Sequence, residues 1–105
     1  MSTAKINSIA KEYVTAVKKA GIPVQAAYLI GSQVLGTAHE GSDIDICIIS
    51  PIFGKNKYNE MMHLTKLRRA INVLIEPHPL TPEDLQTPTS ELSYAIKQHG
   101  VLVTP

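Results

Sequence analysis

The sequence predicts an α/β domain in which amphipathic helices pack on a small β-sheet. Helical apolar spacing alternates along the chain with short, continuous apolar segments. Glycine and proline residues mark the boundaries between these segments. The chain has 105 residues, of which 44% are hydrophobic, and this is enough for one modest core. We therefore expect a single domain over residues 1–105.

The composition excludes several classes of protein. The net charge of +1 gives no global signal for nucleic-acid binding. Cys47 is the only cysteine, which excludes a disulfide framework or a cysteine-based zinc site within one chain and is compatible with a reducing cytoplasm. The first five residues lack the apolar core of a signal peptide, and no apolar run is long enough to span a bilayer. We therefore expect a cytoplasmic protein that does not bind membranes.

The first half of the chain predicts two helices and two strands. The first helix ends at Gly21, and its apolar residues follow the spacing of one helical face. These residues are Ile6, Ile9, Ala10, Tyr13, Val14 and Val17. A buried strand is predicted over Val24 to Ile30, a short helix over 31–38 and a second strand over Asp43 to Ser50.

The second half of the chain also alternates between predicted helices and strands. Its predicted elements are a helix over 58–71, a strand over 72–76, a helix starting at 81–84, a helix over 90–99 and an edge strand over 101–103. Pro77 and Pro79 are predicted to end the third strand, because proline cannot donate to a β ladder. Pro82 follows Thr81 at the first helical position, which is typical of a capped helix start.

Two carboxylates one residue apart open the second strand. Side chains alternate along a strand, so Asp43 and Asp45 point to the same face. Like charges on one face repel each other unless a cation lies between them. Mg²⁺ suits such a pair because it takes oxygen ligands and usually keeps substrate phosphates in its shell. Alone, the pair is a weak signal that is more typical of solvated residues at a strand start.

The surrounding sequence favours the metal-site interpretation. Gly31-Ser32 ends the preceding strand, where a phosphate can meet backbone N–H groups. Glu76 can join the two aspartates if the second and third strands are neighbours, although an acid before Pro-His-Pro is also typical of a simple strand end. Three carboxylates with two metal ions can align a nucleophile, bind a triphosphate and neutralise the leaving pyrophosphate.

Other chemically active side chains give weaker signals. The four histidines, which are His39, His63, His78 and His99, are scattered rather than clustered at zinc-ligand spacing. His39 is expected to be an exposed loop residue, with nucleotide contact as the alternative. His78 is expected to be structural, with support of the nearby Glu76 as the alternative. Cys47 is expected to be a small buried hydrophobe.

The segment from Gly31-Ser32 through Asp43-Ile44-Asp45 resembles the nucleotidyltransferase signature of the polymerase-beta superfamily. That signature is a Gly-Ser pair, a spacer of about ten residues and an Asp-hydrophobic-Asp motif. The chain is similar to the minimal nucleotidyltransferases, single domains of about 100 residues without a second, substrate-binding domain. The resemblance extends through Ile75-Glu76-Pro77-His78-Pro79 and implies a mixed sheet with the metal site at one edge.

The resemblance implies a reaction and a set of site residues. The reaction is transfer of a nucleoside monophosphate, with ATP as the first candidate donor, to an acceptor hydroxyl. Asp43 and Asp45 would bind Mg²⁺, two ions being the expected number. Glu76 would be the third carboxylate, a metal ligand that helps to activate the acceptor hydroxyl. Gly31 and Ser32 would bind the nucleotide phosphates.

The chain departs from the family pattern at Leu35. Many members carry arginine or lysine shortly after the Gly-Ser pair, where this chain has Leu35. A cation for the triphosphate therefore has to come from Lys55, Lys57 or a partner. The third acid is Glu76 rather than aspartate, which moves the carboxylate by about one bond length.

The resemblance also implies a partner. Minimal nucleotidyltransferases often resemble the antitoxin of a toxin–antitoxin pair, whose toxin is a small helical HEPN-type protein; some such antitoxins adenylylate a tyrosine of the toxin. A protein hydroxyl acceptor and a stable hetero-complex follow by analogy, and a homo-oligomer is the other possible assembly. Two alternatives stay open. One is a weakly active or inactive module that neutralises its partner by contact, and the other is a transferase for a small molecule such as an aminoglycoside.

Overall fold

The computed structural model describes residues 1–87 and 89–103. Its elements, in chain order, are α1 (Thr3–Lys19), β1 (Ala26–Ile30), α2 (Ser32–Leu35), β2 (Ile44–Ile49), α3 (Lys57–Leu67) with a 3₁₀ turn (Arg68–Ala70), β3 (Ile75–Leu80), α4 (Pro82–Gln86), α5 (Glu91–His99) and β4 (Val101–Leu102). The predicted α/β class is confirmed. Within the described ranges, no helix combines the length and the hydropathy that crossing a bilayer requires.

The four strands form one mixed sheet in the order β3-β2-β1-β4. Strand β1 runs antiparallel to β2 and β4, whereas β2 and β3 are parallel. The register places Asp45 opposite Glu76 on one side and opposite Ile30 on the other. The starts of β2 and β3 therefore meet at one end of the sheet, next to the end of β1.

The larger hydrophobic core lies between the sheet and helices α1 and α3. Alternate residues of β2, which are Ile44, Ile46 and Ile48, point into it and are fully buried. Burial of one such side chain stabilises a fold by about 1.5–3 kcal/mol. Tyr13 donates its hydroxyl hydrogen to the carbonyl of Leu64 at 2.7 Å, and burial raises the pKa of its phenol. One face of β2 is thus committed to the core, which leaves the other face for the acids.

A smaller core lies on the opposite face of the sheet, beneath α4 and α5. Its buried members are Ile30, Cys47, Ile49, Leu80 and Ile96. Both covering helices begin with a capping box, formed by Thr81 with Asp84 and by Ser90 with Ser93. The start of the two parallel strands remains more open, and Glu76 there is exposed.

The prediction that β3 ends before Pro77 is wrong, because the strand runs from Ile75 to Leu80. The backbone N–H of Ser50 in the neighbouring chain segment donates to the carbonyl of Leu80, so even-numbered residues of β3 face β2. The nitrogens of Pro77 and Pro79 therefore lie at the open edge of the sheet. They remove no ladder hydrogen bond there, which is why the strand tolerates both prolines.

Other predicted boundaries also shift, among them the start of β1, which lies at Ala26 rather than Val24. Asn72 is not part of β3; it lies in the preceding turn, where its side-chain oxygen accepts a hydrogen bond from the N–H of Leu74 at 2.8 Å. Helix α2 is shorter than predicted because Gly36 adopts a left-handed conformation, with φ at 76°, and ends it. Helix α3 ends at Leu67 and continues only as a 3₁₀ turn.

Candidate functional site

Strands β2 and β3 bring three carboxylates together. Asp43 immediately precedes β2, Asp45 is its second residue, and Glu76 is the second residue of β3. Ligand atoms of Asp45, Glu76 and His78 all lie within 4.8 Å of one another. Asp43 is not one of these three residues, but it lies near enough to contribute to the raised pKa of Glu76. The structure thus unites the three acids that the sequence singled out and adds a histidine to them.

The acids interact unfavourably with one another in the absence of a cation. The pKa of Glu76 is raised, first by partial desolvation, then by the negative charge of Asp45 and a hydrogen bond with Asp43. His78 opposes this rise. A raised carboxylate pKa means that the cluster favours the uptake of positive charge, which a proton or a metal ion can supply.

His78 fixes the orientation of Asp45. Its Nε2 lies 3.0 Å from Oδ1 of Asp45, and the histidine side chain is only 11% exposed. Such a contact holds a carboxylate in one orientation. We expected a structural histidine beside Glu76 and did not predict its contact with Asp45. His78 follows Glu76 by two residues on the same strand face, so strand periodicity would have revealed it had β3 not been predicted to end at Glu76.

Gly31 packs directly against Asp45. Its φ of 80° and ψ of −157° lie in a region that only glycine adopts readily. A Cβ at this position would lie 2.6 Å from Oδ2 of Asp45. The Gly-Ser turn and the carboxylate cluster are therefore in contact, and both the backbone conformation and the available space require glycine.

A side-chain amide ties the Gly-Ser turn to the approach to β2. The Gln33 amide nitrogen lies 3.4 Å from the carbonyl oxygen of Ser42 and 3.5 Å from that of Asp43. In the same loop His39 is exposed, and its backbone N–H donates to the hydroxyl of Ser42 at 2.9 Å. The expectation that His39 is an exposed loop residue agrees with this position.

A second histidine meets the turn from the far end of the chain. The backbone N–H of Gly31 donates to Nε2 of His99 at 3.2 Å. His99 is the last residue of α5 and is half-buried. No local sequence pattern connects these two residues, because 68 positions separate them.

Leu35 cannot supply a cation, and the two candidate lysines lie at the start of α3. Leu35, at the position where a basic residue was expected, is 57% exposed. Lys57 lines a cavity of about 260 Å³ together with His78 and Leu80, on the β3 side of the cluster. The backbone N–H of Lys55 donates to the carboxylate of Glu60 at the start of α3.

Cys47 is fully buried in the smaller core. Burial raises the pKa of its thiol to about 12, with a further contribution from the charge of Asp45. A thiol with this pKa stays protonated near neutral pH and is a poor nucleophile. The expectation of a small buried hydrophobe agrees with this environment.

A mixed four-stranded sheet that gathers carboxylates beside a Gly-Ser turn defines a small α/β domain of the nucleotidyltransferase type. The profile of the nucleotidyltransferase domain family matches residues 10–101. The chain therefore belongs to the nucleotidyltransferase domain family. None of the curated proteins compared with it matches its sequence.

Solved structures show the same fold. A Sulfolobus solfataricus protein classed as a nucleotidyltransferase superposes with a TM-score of 0.68 at 21% identity, covering 94% of this chain and 79% of its own. A mutant of the toxin–antitoxin MntA–HpeT superposes with a TM-score of 0.67 at 20% identity. A toxin–antitoxin with AMP-PNP gives 0.62 at 24% identity. The last two alignments each cover 90% of this chain and 72% of the other.

Proposed function

We propose that this chain is a metal-dependent nucleotidyltransferase that transfers AMP from ATP to an acceptor hydroxyl. The observation that carries the proposal is the convergence of Asp43, Asp45 and Glu76 beside Gly31. We further propose that residues 1–105 act as one domain and that the acceptor belongs to a partner protein.

The donor set of the cluster fits divalent magnesium. Its side chains offer several carboxylate oxygens within a few ångströms, and the raised pKa of Glu76 reflects a need for positive charge. Asp43, Asp45 and Glu76 would hold the metal, with two ions as the expected number, while His78 keeps Asp45 in place. When bound, the metal supplies positive charge to the triphosphate and the leaving pyrophosphate.

The remaining steps belong to the chain itself. The backbone N–H of Gly31 and the N–H and hydroxyl of Ser32 bind phosphate oxygens and orient the triphosphate. Glu76 is exposed and lies on the edge strand β3, so the acceptor hydroxyl approaches from that side. A Glu76 carboxylate oxygen accepts the hydrogen bond of that hydroxyl and takes up its proton.

Two structural neighbours support the choice of nucleotide and partner. One is a toxin–antitoxin with AMP-PNP, an ATP analogue. The other is a toxin–antitoxin mutant in which two aspartates two positions apart are replaced by glutamate, the same spacing as Asp43 and Asp45. A domain this small has little surface for a large acceptor. We therefore propose a helical HEPN-type toxin as the partner and the cytoplasm as the site of action.

Label transfer tests this function. The protein is incubated with Mg²⁺ and ATP labelled at the α-phosphate, with and without the protein encoded by the adjacent reading frame. The matched control carries Asp43→Asn and Asp45→Asn, which keep side-chain size and remove the charge. We expect label on the partner with the wild type only. Equal labelling by the double variant, or no labelling of any acceptor, would contradict the proposal.

The exposed Leu35 favours a second candidate function, neutralisation of the partner by contact alone. A leucine cannot contribute charge to a triphosphate, so the turn lacks one contact that nucleotide transfer would use. The same double variant separates the two functions. A contact antitoxin still protects cells against the toxin when both aspartates are asparagine, whereas an enzyme does not.

A further inference from the structure

The N–H group that the proposed nucleotide site needs already has a partner in this structure. Gly31 donates its backbone hydrogen to Nε2 of His99 at 3.2 Å. Gly31 also lies against the carboxylate of Asp45. The imidazole of His99 is therefore positioned at the edge of the carboxylate cluster, on the side of β1 where the triphosphate is proposed to bind.

The sheet itself holds His99 in this place. Strands β1 and β4 are antiparallel, with Leu29 opposite Val101 and Tyr28 opposite Leu102. His99 is the last residue of α5, two positions before Val101, and Gly31 directly follows β1. The pairing of β4 with β1 thus brings the end of α5 close to the Gly-Ser turn, where the His99 side chain makes the contact.

We propose that His99 is a nucleotide-binding residue that contacts the triphosphate, an inference that rests on the proposed function. In the nucleotide-free protein, Nε2 of His99 accepts the hydrogen bond from Gly31. When a phosphate oxygen takes over the Gly31 N–H, Nε2 of His99 donates a hydrogen bond to that same triphosphate.

The change from acceptor to donor requires no new charge. A neutral imidazole carries its proton on either Nδ1 or Nε2, and the hydrogen-bond partner selects the tautomer. His99 is half-buried, so exchange with solvent can move the proton from Nδ1 to Nε2. One nitrogen atom can therefore serve Gly31 in the free protein and a phosphate oxygen in the complex.

His99 also occupies the side of the cluster that lacks a basic residue. Leu35 follows the Gly-Ser turn but is apolar and exposed. Lys57 lines its cavity with residues of β3, and β3 lies two strands away from β1 in the sheet. The imidazole therefore supplies a polar contact at the Gly-Ser turn that Leu35 cannot supply.

Nucleotide binding by three variants tests this inference. Dissociation constants for ATP and for adenosine, with Mg²⁺ present, are measured for the wild type, His99→Ala and His99→Gln. The matched control is His63→Ala, which removes an exposed histidine of α3. We expect His99→Ala to weaken ATP binding about tenfold, the loss of one hydrogen bond to a charged group. Adenosine binding should not change, because adenosine has no phosphate.

Two further measurements distinguish phosphate binding by His99 from a purely structural role. They are the ATP affinity of the glutamine variant and the ¹⁵N resonance of the His99 ring. Glutamine can accept from Gly31 through its oxygen and donate to phosphate through its nitrogen, so His99→Gln should keep most of the ATP affinity. In the wild type, the ¹⁵N resonance of His99 Nε2 should move from an acceptor to a donor position when ATP is added, and should stay unchanged with adenosine.

The outcomes separate this inference from the proposed function. If the wild type binds no ATP, both are overturned. If the wild type binds ATP while His99→Ala binds it as tightly or more tightly, His99 is not a nucleotide-binding residue and the proposed function stands. An unchanged Nε2 resonance on ATP addition overturns the inference even if His99→Ala fails to fold.

Discussion

Gly31 and Asp45 pack so closely that no additional atom fits between them. An alanine at position 31 would bring a Cβ to 2.6 Å from Oδ2 of Asp45 and would adopt an unfavourable φ of 80°. We expect Gly31→Ala to lower the free energy of unfolding by about 1–3 kcal/mol and to weaken Mg²⁺ binding. Chemical denaturation and Mg²⁺ titration measure the two effects.

Gly21 provides a matched control for this substitution. Its φ is 90°, but a Cβ there meets no atom within 4 Å. Gly21→Ala should therefore show backbone strain without any change in Mg²⁺ affinity. Wild-type Mg²⁺ affinity in Gly31→Ala would show that the position of the Asp45 carboxylate does not depend on the glycine.

Glu76 makes the metal-free protein sensitive to pH. Because its pKa is raised in the folded state, its contribution to stability is fully present below the unfolded pKa of about 4.3 and is lost as pH rises through the folded pKa. In EDTA at pH 7, Glu76→Gln should therefore be more stable than the wild type, by about 0.2–1 kcal/mol.

Thermal melts between pH 4 and pH 8 measure this effect. The difference between Glu76→Gln and the wild type should vanish at the acid end, where the wild-type carboxyl is protonated. Glu12→Gln, an exposed position on α1, serves as the control. A destabilised Glu76→Gln at pH 7 in EDTA would contradict the unfavourable interaction of Glu76 with the two aspartates.

The length of strand β3 decides which side chains reach the cluster. Because the strand continues through Pro77, His78 lies on the same face as Glu76 and contacts Asp45. We expect His78→Leu, which keeps an apolar side chain in this buried position, to weaken Mg²⁺ binding about 10–100-fold. His78→Gln keeps a hydrogen-bond donor and should retain more of the affinity. Equal Mg²⁺ affinity in His78→Leu and the wild type would mean that Asp45 needs no support.

The elements differ in how well the sequence predicts them. The extent of α1 and the starts of α4 and α5 follow from local apolar spacing and capping residues, and these expectations agree with the structure. The end of β3 does not follow, because the effect of a proline depends on whether its nitrogen faces a neighbouring strand. That orientation is a property of the assembled sheet and is absent from the local sequence.

The candidate site likewise combines contacts that the local sequence predicts with contacts that depend on the assembled sheet. The approach of Asp43, Asp45 and Glu76 was predicted, because strand alternation and one assumption about neighbouring strands suffice. The contacts of His78 and His99 were not predicted. The first needed the true length of β3, and the second needed the pairing of β1 with β4, two strands far apart in the sequence.

Metal binding should stabilise the whole fold, because the carboxylates belong to two strands that organise the sheet. A ligand that binds only the folded state raises the free energy of unfolding by about 2.7 kcal/mol at 100 times its dissociation constant. We expect Mg²⁺ to raise the melting temperature of the wild type, and EDTA to reverse this rise. The variant with Asp43→Asn and Asp45→Asn should show no such rise, and an equal rise would place the ion elsewhere.

Two prolines in β3 also restrict how another chain can bind to this molecule. An exposed sheet edge normally offers N–H groups to which a foreign strand can hydrogen-bond, a route to both recognition and aggregation. Pro77 and Pro79 remove two of those donors from the outer edge of β3. A partner that reaches the acids from this side must therefore dock through side chains, as a helical protein does, because it cannot extend the sheet there.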